Sequence, residues 1–471
     1  MSGATAQLAR WVHQLDCRSI PVEVLEQVRA CLLDALACAG AGIQTAEMRG
    51  LVGAMRQLDP SGPGHPWFTS EPTSIWTEAF INATLIHSLD YDDSHKRSKT
   101  HPGAPVLSAA LAAARWAEAD LSDLFAGIVA GYEVSMRLAN AVGVAAHRDS
   151  GWHATSTCGS IGAAAAVSRV LRMEPDEVAS ALGNAATQAA GLWAFTNDGA
   201  MSKKFHPGHA ARAGLTAAVL ARNGITGSRV ALEAVDGGFF TAFAPGRSEA
   251  EWGGVLAGIG APYWLTEVAF KPYPCCRTAH TAVDAVLSLR EGGLRAEDVE
   301  SVDVYTYRIA VEQCGFHSPV NEVQAAFSTP YLVACALTDG WIGTGHFTAG
   351  RVGDSALAEL QAKVRVLHDP VIESKFPELW PSRVKVTTTS GAVLQREVDI
   401  ALGDPLAPMS TEQQLRKLSA GVEPLLGVEG ALVLAATVRT LPTHGASTTL
   451  WQALDAAASV AAAGYTERIP T

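Results

Sequence analysis

Positive charge is scarce in this chain. Its 35 Lys and Arg stand against 47 Asp and Glu, for a formal net charge of −12. This balance argues against a nucleic-acid footprint, which needs clustered Lys and Arg. Charged residues of both signs make up only 17% of the 471, too few for a large solvated surface, while the 48% hydrophobic content allows a sizeable core and two or three domains. Cysteine is sparse and scattered, with eight residues at 17, 31, 38, 158, 275, 276, 314 and 335 and no C-x-x-C pair. This excludes a disulfide framework, and the adjacent Cys275 and Cys276 cannot supply three spaced ligands to an iron–sulfur cluster. No run approaches the roughly 18 apolar residues of a membrane span. Arg10, His13, Asp16 and Arg18 come too early and too close together for a signal-peptide apolar region. A soluble, cytoplasmic protein without nucleic-acid or membrane partners is expected.

What the chain has is alanine, leucine and helical periodicity. From about residue 5 to 265, apolar residues recur at three- and four-residue spacing, as in 22–37, 104–118, 122–142, 158–172, 176–192 and 208–223. Ser122 and the Pro175-Asp176 pair are helix-start signals. After about 268 the period changes to two: Val302, Val304 and Thr306 alternate with polar neighbours, as do Val364 and Val366, and Val384, Val386 and Thr388. Thr389-Ser390-Gly391, followed by an apolar run at 392–400, reads as a hairpin turn. Residues 325–337 and 355–363 read as helices, and helical texture returns after 403. The fold expected is mainly α: a large all-helical domain built from both chain ends (1–267 and 403–471), with an inserted smaller α+β domain, a lid, at 268–402. The alanine-rich helices exceed what a monomer needs, so a homodimer is expected.

The densest polar cluster is His87-Ser88-Leu89-Asp90-Tyr91-Asp92-Asp93-Ser94-His95, followed by His101-Pro102-Gly103. Asp90 and Ser94 are four apart, so on a helix they share one face. The segment also reads as a capped helix end with a solvated loop, or as a divalent-ion site through its H-x-x-D spacing. Nothing like H-E-x-x-H or a carboxylate ladder occurs, and no metal or cofactor is expected. His153 stands ahead of a small-residue stretch that opens an apolar helix, where backbone N–H groups can receive a carboxylate. Two basic segments lie in apolar surroundings, at Lys203-Lys204-Phe205-His206-Pro207-Gly208 and Lys271-Pro272-Tyr273-Pro274-Cys275-Cys276-Arg277. Fixed cations of this kind suit an anionic substrate, although most lysines simply reach solvent.

Taken in order, LDYDDSH…HPGAPV, GWHATSTCGSIGAAAA, KKFHPGHAARAGLTAAVLARNGITG, KPYPCCRTAHTAVDA and AAFSTPYLVACALTDG resemble the signature blocks of the MmgE/PrpD family. Its members include 2-methylcitrate dehydratase, cis-aconitate decarboxylase and iminodisuccinate epimerase. The resemblance implies a helical domain plus an α+β lid, usually in a homodimer, with the active site between the domains. Carried onto matching positions, it implies a site of Asp90, Ser94, His101, His153, Lys203, Lys271 and Tyr331. Ser94 stands where decarboxylase-like members carry threonine, the stretch from Asp90 to His101 is one residue longer, and HPGAP replaces the HPSDN or HPGDN form of methylcitrate dehydratases.

Removing a proton α to a carboxylate adds charge to a group that is already anionic. Lysines in a partly dehydrated site offset that charge, and histidines, with an ordinary pKa near 6.5, serve as acid or base. The expected roles are therefore proton transfer for His101 and His153, carboxylate binding and enolate stabilisation for Lys203 and Lys271, orientation for Asp90, and substrate hydrogen bonds for Ser94 and Tyr331. The substrate is a small di- or tricarboxylate. A hydro-lyase is the outcome expected, with a carboxy-lyase or an epimerase as alternatives on the same residues and an inert carboxylate-binding scaffold as the rival from another class.

Overall fold

The computed structural model describes residues 3–244 and 246–466. The fold is mainly α, and the chain divides into two compact units. One comprises residues up to 88, 92–269 and 410 onward, and the other residues 89–91 and 270–409.

The first unit is helical, and its centre is a stack of small residues. The helices Leu121–Ala141, Ala154–Val170 and Ser202–Arg222 are almost entirely buried along their facing sides. Glycine lets their backbones meet. A Cβ on Gly131 would lie 2.9 Å from the Gly162 carbonyl oxygen, and one on Gly162 would lie 2.8 Å from that of Gly131. Gly214 repeats the device, since a Cβ there would fall 2.5 Å from Ala163 Cβ. Alanine and glycine thus set a close helix-to-helix distance that larger side chains forbid. Helix starts follow their local chemistry. Pro175 opens Pro175–Ala186, where the Glu174 N–H donates to Glu177 Oε2 at 2.9 Å.

The first unit also closes a short sheet, in which β1 (Ser94–His95) pairs antiparallel with β2 (Val268–Ala269). Near the chain's end the helix Thr411–Arg439 is long and apolar enough to cross a membrane by length and composition, contrary to the reading of the sequence. It packs instead on Val22–Ile43, and its Lys417 Nζ meets Asp34 Oδ1 at 2.6 Å with both side chains buried. Such an ion pair suits a helix packed in a protein core. Of the three helical pieces read from sequence here, the first two run together, and a non-helical Gly427 (φ 71°) kinks the chain before the third.

The second unit is a four-stranded sheet in the order β4 (Val364–His368), β3 (Val299–Thr306), β5 (Ser382–Thr388), β6 (Val393–Val398). β3 and β4 run parallel, while β3–β5 and β5–β6 are antiparallel. Ser382, Val384, Val386 and Thr388 are buried and the residues between them are half-buried, which is the period of two that the sequence shows. The turn falls where expected, with Gly391 at φ 84° and its N–H donating to Thr388 O at 2.8 Å. The helices His280–Glu291 and Thr329–Asp339 cover one face, and Val283, Val286, Leu332, Val302, Val304 and Val384 share the core. The single helix expected at 325–337 is split. Ser328 caps a new start by accepting from Tyr331 N at 3.3 Å, and Pro330 occupies the first turn, where its missing N–H does no harm.

Candidate active site

His87 ends the helix Ile75–His87, and the chain then leaves helical geometry. Residues 88–93 form turns and bends, Asp90 takes φ 52°, and Ser94 enters β1. The helical face proposed for Asp90 and Ser94 therefore does not exist, and the two residues fall in different compact units. The turn brings a different set together in the first unit. Asp92 is buried with its carboxylate against two imidazoles, 2.9 Å from His87 Nδ1 and 3.2 Å from His101 Nδ1. Burial raises the Asp92 pKa, but His87 and His101 outweigh it and hold the carboxyl well below the usual range. Burial lowers His87 to about 4 despite Asp92, so this ring is neutral at pH 7 and donates from Nδ1. Its Nε2 has no hydrogen-bond partner among the described residues.

The neighbouring carboxyl behaves oppositely. Burial, helped by the Asp92 charge, raises Asp93 to about 8. Asp93 accepts from Tyr132 Oη at 2.7 Å and from Gly103 N at 3.0 Å, which pins the far end of the loop. Two adjacent aspartates thus divide the work, one ionised beside imidazoles and one neutral in the core.

His153 precedes Ala154–Val170, and its N–H donates to Gly191 O at 3.0 Å. Gly191 has φ 121° and faces Ser156 and His206 closely, a place no side chain fits. His206, on Ser202–Arg222, puts its Nδ1 3.0 Å from His153 Nδ1. The His153 ring lies 6.0 Å from His87, and Trp193 and Phe195 close over it with centroids at 5.1 and 6.0 Å. Burial depresses His153 well below its ordinary value, and His87, Lys203 and His206 add to it. The charge of Lys203 adds to the lowering of His87, His153 and His206. His101 and His153 stand on either side of His87, whose ring lies 4.8 Å from the one and 6.0 Å from the other. Ser94 is half-buried in β1, paired with Ala269.

In the second unit, Lys271 Nζ donates to the Asp90 carbonyl at 2.6 Å and meets Asp90 Oδ1 at 3.1 Å, with the lysine side chain 3% exposed. Lys271 and Asp90 thus form a pair. Tyr331 has no exposed surface, and its hydroxyl donates to His346 O at 2.6 Å beside the hydrophobic core. Cys276 is half-buried, and its hydrogen bond with Cys314 lowers the thiol pKa to about 6.

The histidines are where acid–base chemistry can occur. An open hollow elsewhere in the first unit, lined by Pro21, Gln27, Pro262 and Tyr263 among others, lacks any comparable set. His87, Asp92 and His101 could also ligate a cation, since one donor atom of each lies within 4.8 Å of the others. Asp92, His87 and His206 were not singled out from the sequence as site residues. Two of them lie in the polar cluster, but the spacing of 87, 92 and 101 matches neither helix nor strand.

Residues 6–251 match the MmgE/PrpD N-terminal domain, and residues 273–442 match the MmgE/PrpD C-terminal domain. The chain is 27% identical over 438 residues to the cis-aconitate decarboxylase of Aspergillus terreus, covering 88% of each chain. It is 29% identical over 462 residues to that of Homo sapiens, covering 94% of this chain and 92% of the relative, and 27% identical over 443 residues to that of Mus musculus, covering 90% and 88%. With both of the family's domains matched along the chain and decarboxylase relatives over most of its length, the chain belongs to the MmgE/PrpD family and is an enzyme of lyase type.

Proposed function

We propose that this enzyme is a carboxy-lyase acting on a small unsaturated tricarboxylate of the cis-aconitate kind. The observation that carries the reading is Asp92, ionised against the Nδ1 atoms of His87 and His101. A buried carboxylate on Nδ1 fixes the tautomer and leaves Nε2 of His101 as the reactive position, and it stabilises the imidazolium if that nitrogen takes a proton. In the reaction the bond to the departing CO₂ breaks, and its electron pair passes into the carbon framework, where a remaining carboxylate spreads it. A proton then closes the new C–H bond. Lys203 binds a carboxylate and offsets the developing charge, Ser94 donates to the substrate, and His101 and His153 move protons, while in the second unit Asp90 orients Lys271, a cation suited to an anionic group. The decarboxylase relatives support this outcome, while their identities leave the substrate to experiment.

A hydro-lyase is the second reading, favoured by Ser94 standing where decarboxylase-like members carry threonine. One panel separates them: cis-aconitate, 2-methylcitrate and iminodisuccinate, each incubated in D₂O and followed by NMR with CO₂ detection. Release of CO₂ with deuterium in the product supports the first reading. Loss of water without CO₂ selects the second, and inversion alone selects an epimerase. No change in any acid refutes both lyase readings. We further propose a cytoplasmic homodimer, supported by the eight free thiols and by exposed Val428, Leu432 and Val433 on Thr411–Arg439. A monomer by light scattering at micromolar concentration refutes the dimer.

A further inference from the structure

The contact between His153 and His206 is a symmetric one, Nδ1 to Nδ1 at 3.0 Å. Two bare nitrogens at that distance repel and two N–H groups collide, so a single hydrogen lies between them. Burial keeps both rings neutral at pH 7. It lowers His206 to about 4, with His87, His209 and Lys203 adding to the effect, and it depresses His153 in the same way. Two neutral imidazoles that share one Nδ1 hydrogen must be opposite tautomers. The donor ring has a bare Nε2, and the acceptor ring carries its hydrogen there. Shifting the shared hydrogen therefore exchanges acid for base at both Nε2 atoms together.

We infer that His206 is a positioning residue that sets His153 as a neutral acid and refills it through the shared hydrogen. This rests on the lyase reading, in which each decarboxylation consumes one proton. The step balances as follows. His153 Nε2 gives its proton to the carbon bearing the electron pair left by CO₂, the hydrogen on His206 Nδ1 crosses to His153 Nδ1, and His206 Nε2 takes a proton from water. After product leaves, the pair re-equilibrates with water and the starting tautomers return. No imidazolium forms. That matters here, because Lys203 and the packing of Trp193 and Phe195 against the pair make a charged ring costly. The packing also holds the two rings in register, since His153 is tied through its N–H to Gly191 O at 3.0 Å and the His206 carbonyl accepts from Ser156 Oγ at 3.2 Å. A pair of unrelated core histidines has no need to meet through like atoms.

The test has two arms on the full-length protein. In the first, ¹⁵N-histidine NMR of the wild type at pH 7 should show both rings neutral and of opposite tautomer. Like tautomers, or an imidazolium at either position, overturn the inference whether or not the enzyme turns over any acid tested. In the second, His206→Phe keeps the aromatic packing and His206→Asn keeps a polar group. Both should lower kcat by roughly 10-fold to 10²-fold, the low end for loss of a proton donor. KM should stay within about twofold, the solvent isotope effect on kcat should rise, and added imidazole should recover part of the rate. A wild-type isotope effect with no recovery by imidazole, or kcat unchanged, overturns the inference. A wild type that yields no product from any acid in the panel refutes the lyase reading alone, and the NMR arm still decides the pair.

Discussion

Replacing Asp92 by asparagine removes one charge and changes almost no volume. The carboxylate is buried, and it accepts from His87 Nδ1 at 2.9 Å while lying 3.2 Å from His101 Nδ1. An amide has one accepting atom where the carboxylate has two. Its NH₂ therefore faces one of the rings, and that ring must turn its Nδ1 into an acceptor and carry its hydrogen on Nε2. If the ring is His101, the reactive nitrogen is blocked. If it is His87, His101 keeps its tautomer but loses its counter-charge. With about 4 Å between charge centres and an effective dielectric near 20, that loss is about 4 kcal/mol, which corresponds to roughly 10³ in rate. Because part of the loss is recovered by relaxation, we expect kcat to fall by about 10²-fold to 10³-fold with KM within about threefold. Steady-state kinetics across pH, paired with circular dichroism melts, makes the measurement. A variant with kcat near wild type, or one whose activity falls only as far as its melting temperature explains, refutes the role given to Asp92.

Four shorter tests follow from the same geometry. Lys271→Met should lower kcat by ~10²-fold or more, and because it removes the buried ion pair with Asp90 Oδ1 it should also lower the melting temperature; kcat near wild type would show that Lys271 takes no part in turnover. Dialysis against EDTA should leave activity intact, since Asp92 already accepts from His87 Nδ1 at 2.9 Å; loss restored by a divalent ion would assign His87, Asp92 and His101 to a metal instead. Burial raises Glu78 and Asp93 to about 8, so each binds more protons folded than unfolded as pH climbs from the carboxylate range to about 8. Their stabilising effect is complete at low pH and is lost on the way up. His87 and His206, lowered to about 4, oppose this only below the unfolded histidine value of 6.5, so the melting temperature should fall between pH 6.5 and 8, and Glu78→Gln should flatten that slope. Among the eight cysteines, Cys276, the one not buried and with its thiol lowered to about 6, should react first with iodoacetamide at neutral pH by peptide mapping.

Periodicity made most elements readable in advance. The stripes at 122–142 and 208–223, the alternation of Val384, Val386 and Thr388, and the turn at Gly391 each report which face is buried, and burial is what sequence patterns encode best. The break at Ser328 was missed because apolar spacing runs on across it, and only the cap and Pro330 mark the new start. The family and its lyase chemistry were legible in five short blocks, and His101, His153 and Lys203 came from them. Asp92, His87 and His206 did not, since their meeting depends on a turn through a left-handed Asp90 and on a glycine at 191 that lets a loop approach a helix. No spacing rule records such long-range closures.

The glycine and alanine stack also bears on how this enzyme can change over generations. A methyl group on Gly131 would meet Val106 Cγ1 at 2.6 Å and one on Gly162 would meet Ser135 Cβ at 2.6 Å, besides each other's carbonyl oxygen, so neither glycine can be replaced without moving a helix. The stack that spaces the helices therefore tolerates little change, and the reactive side chains stand outside it at helix ends, where His87 closes one helix and His153 precedes another.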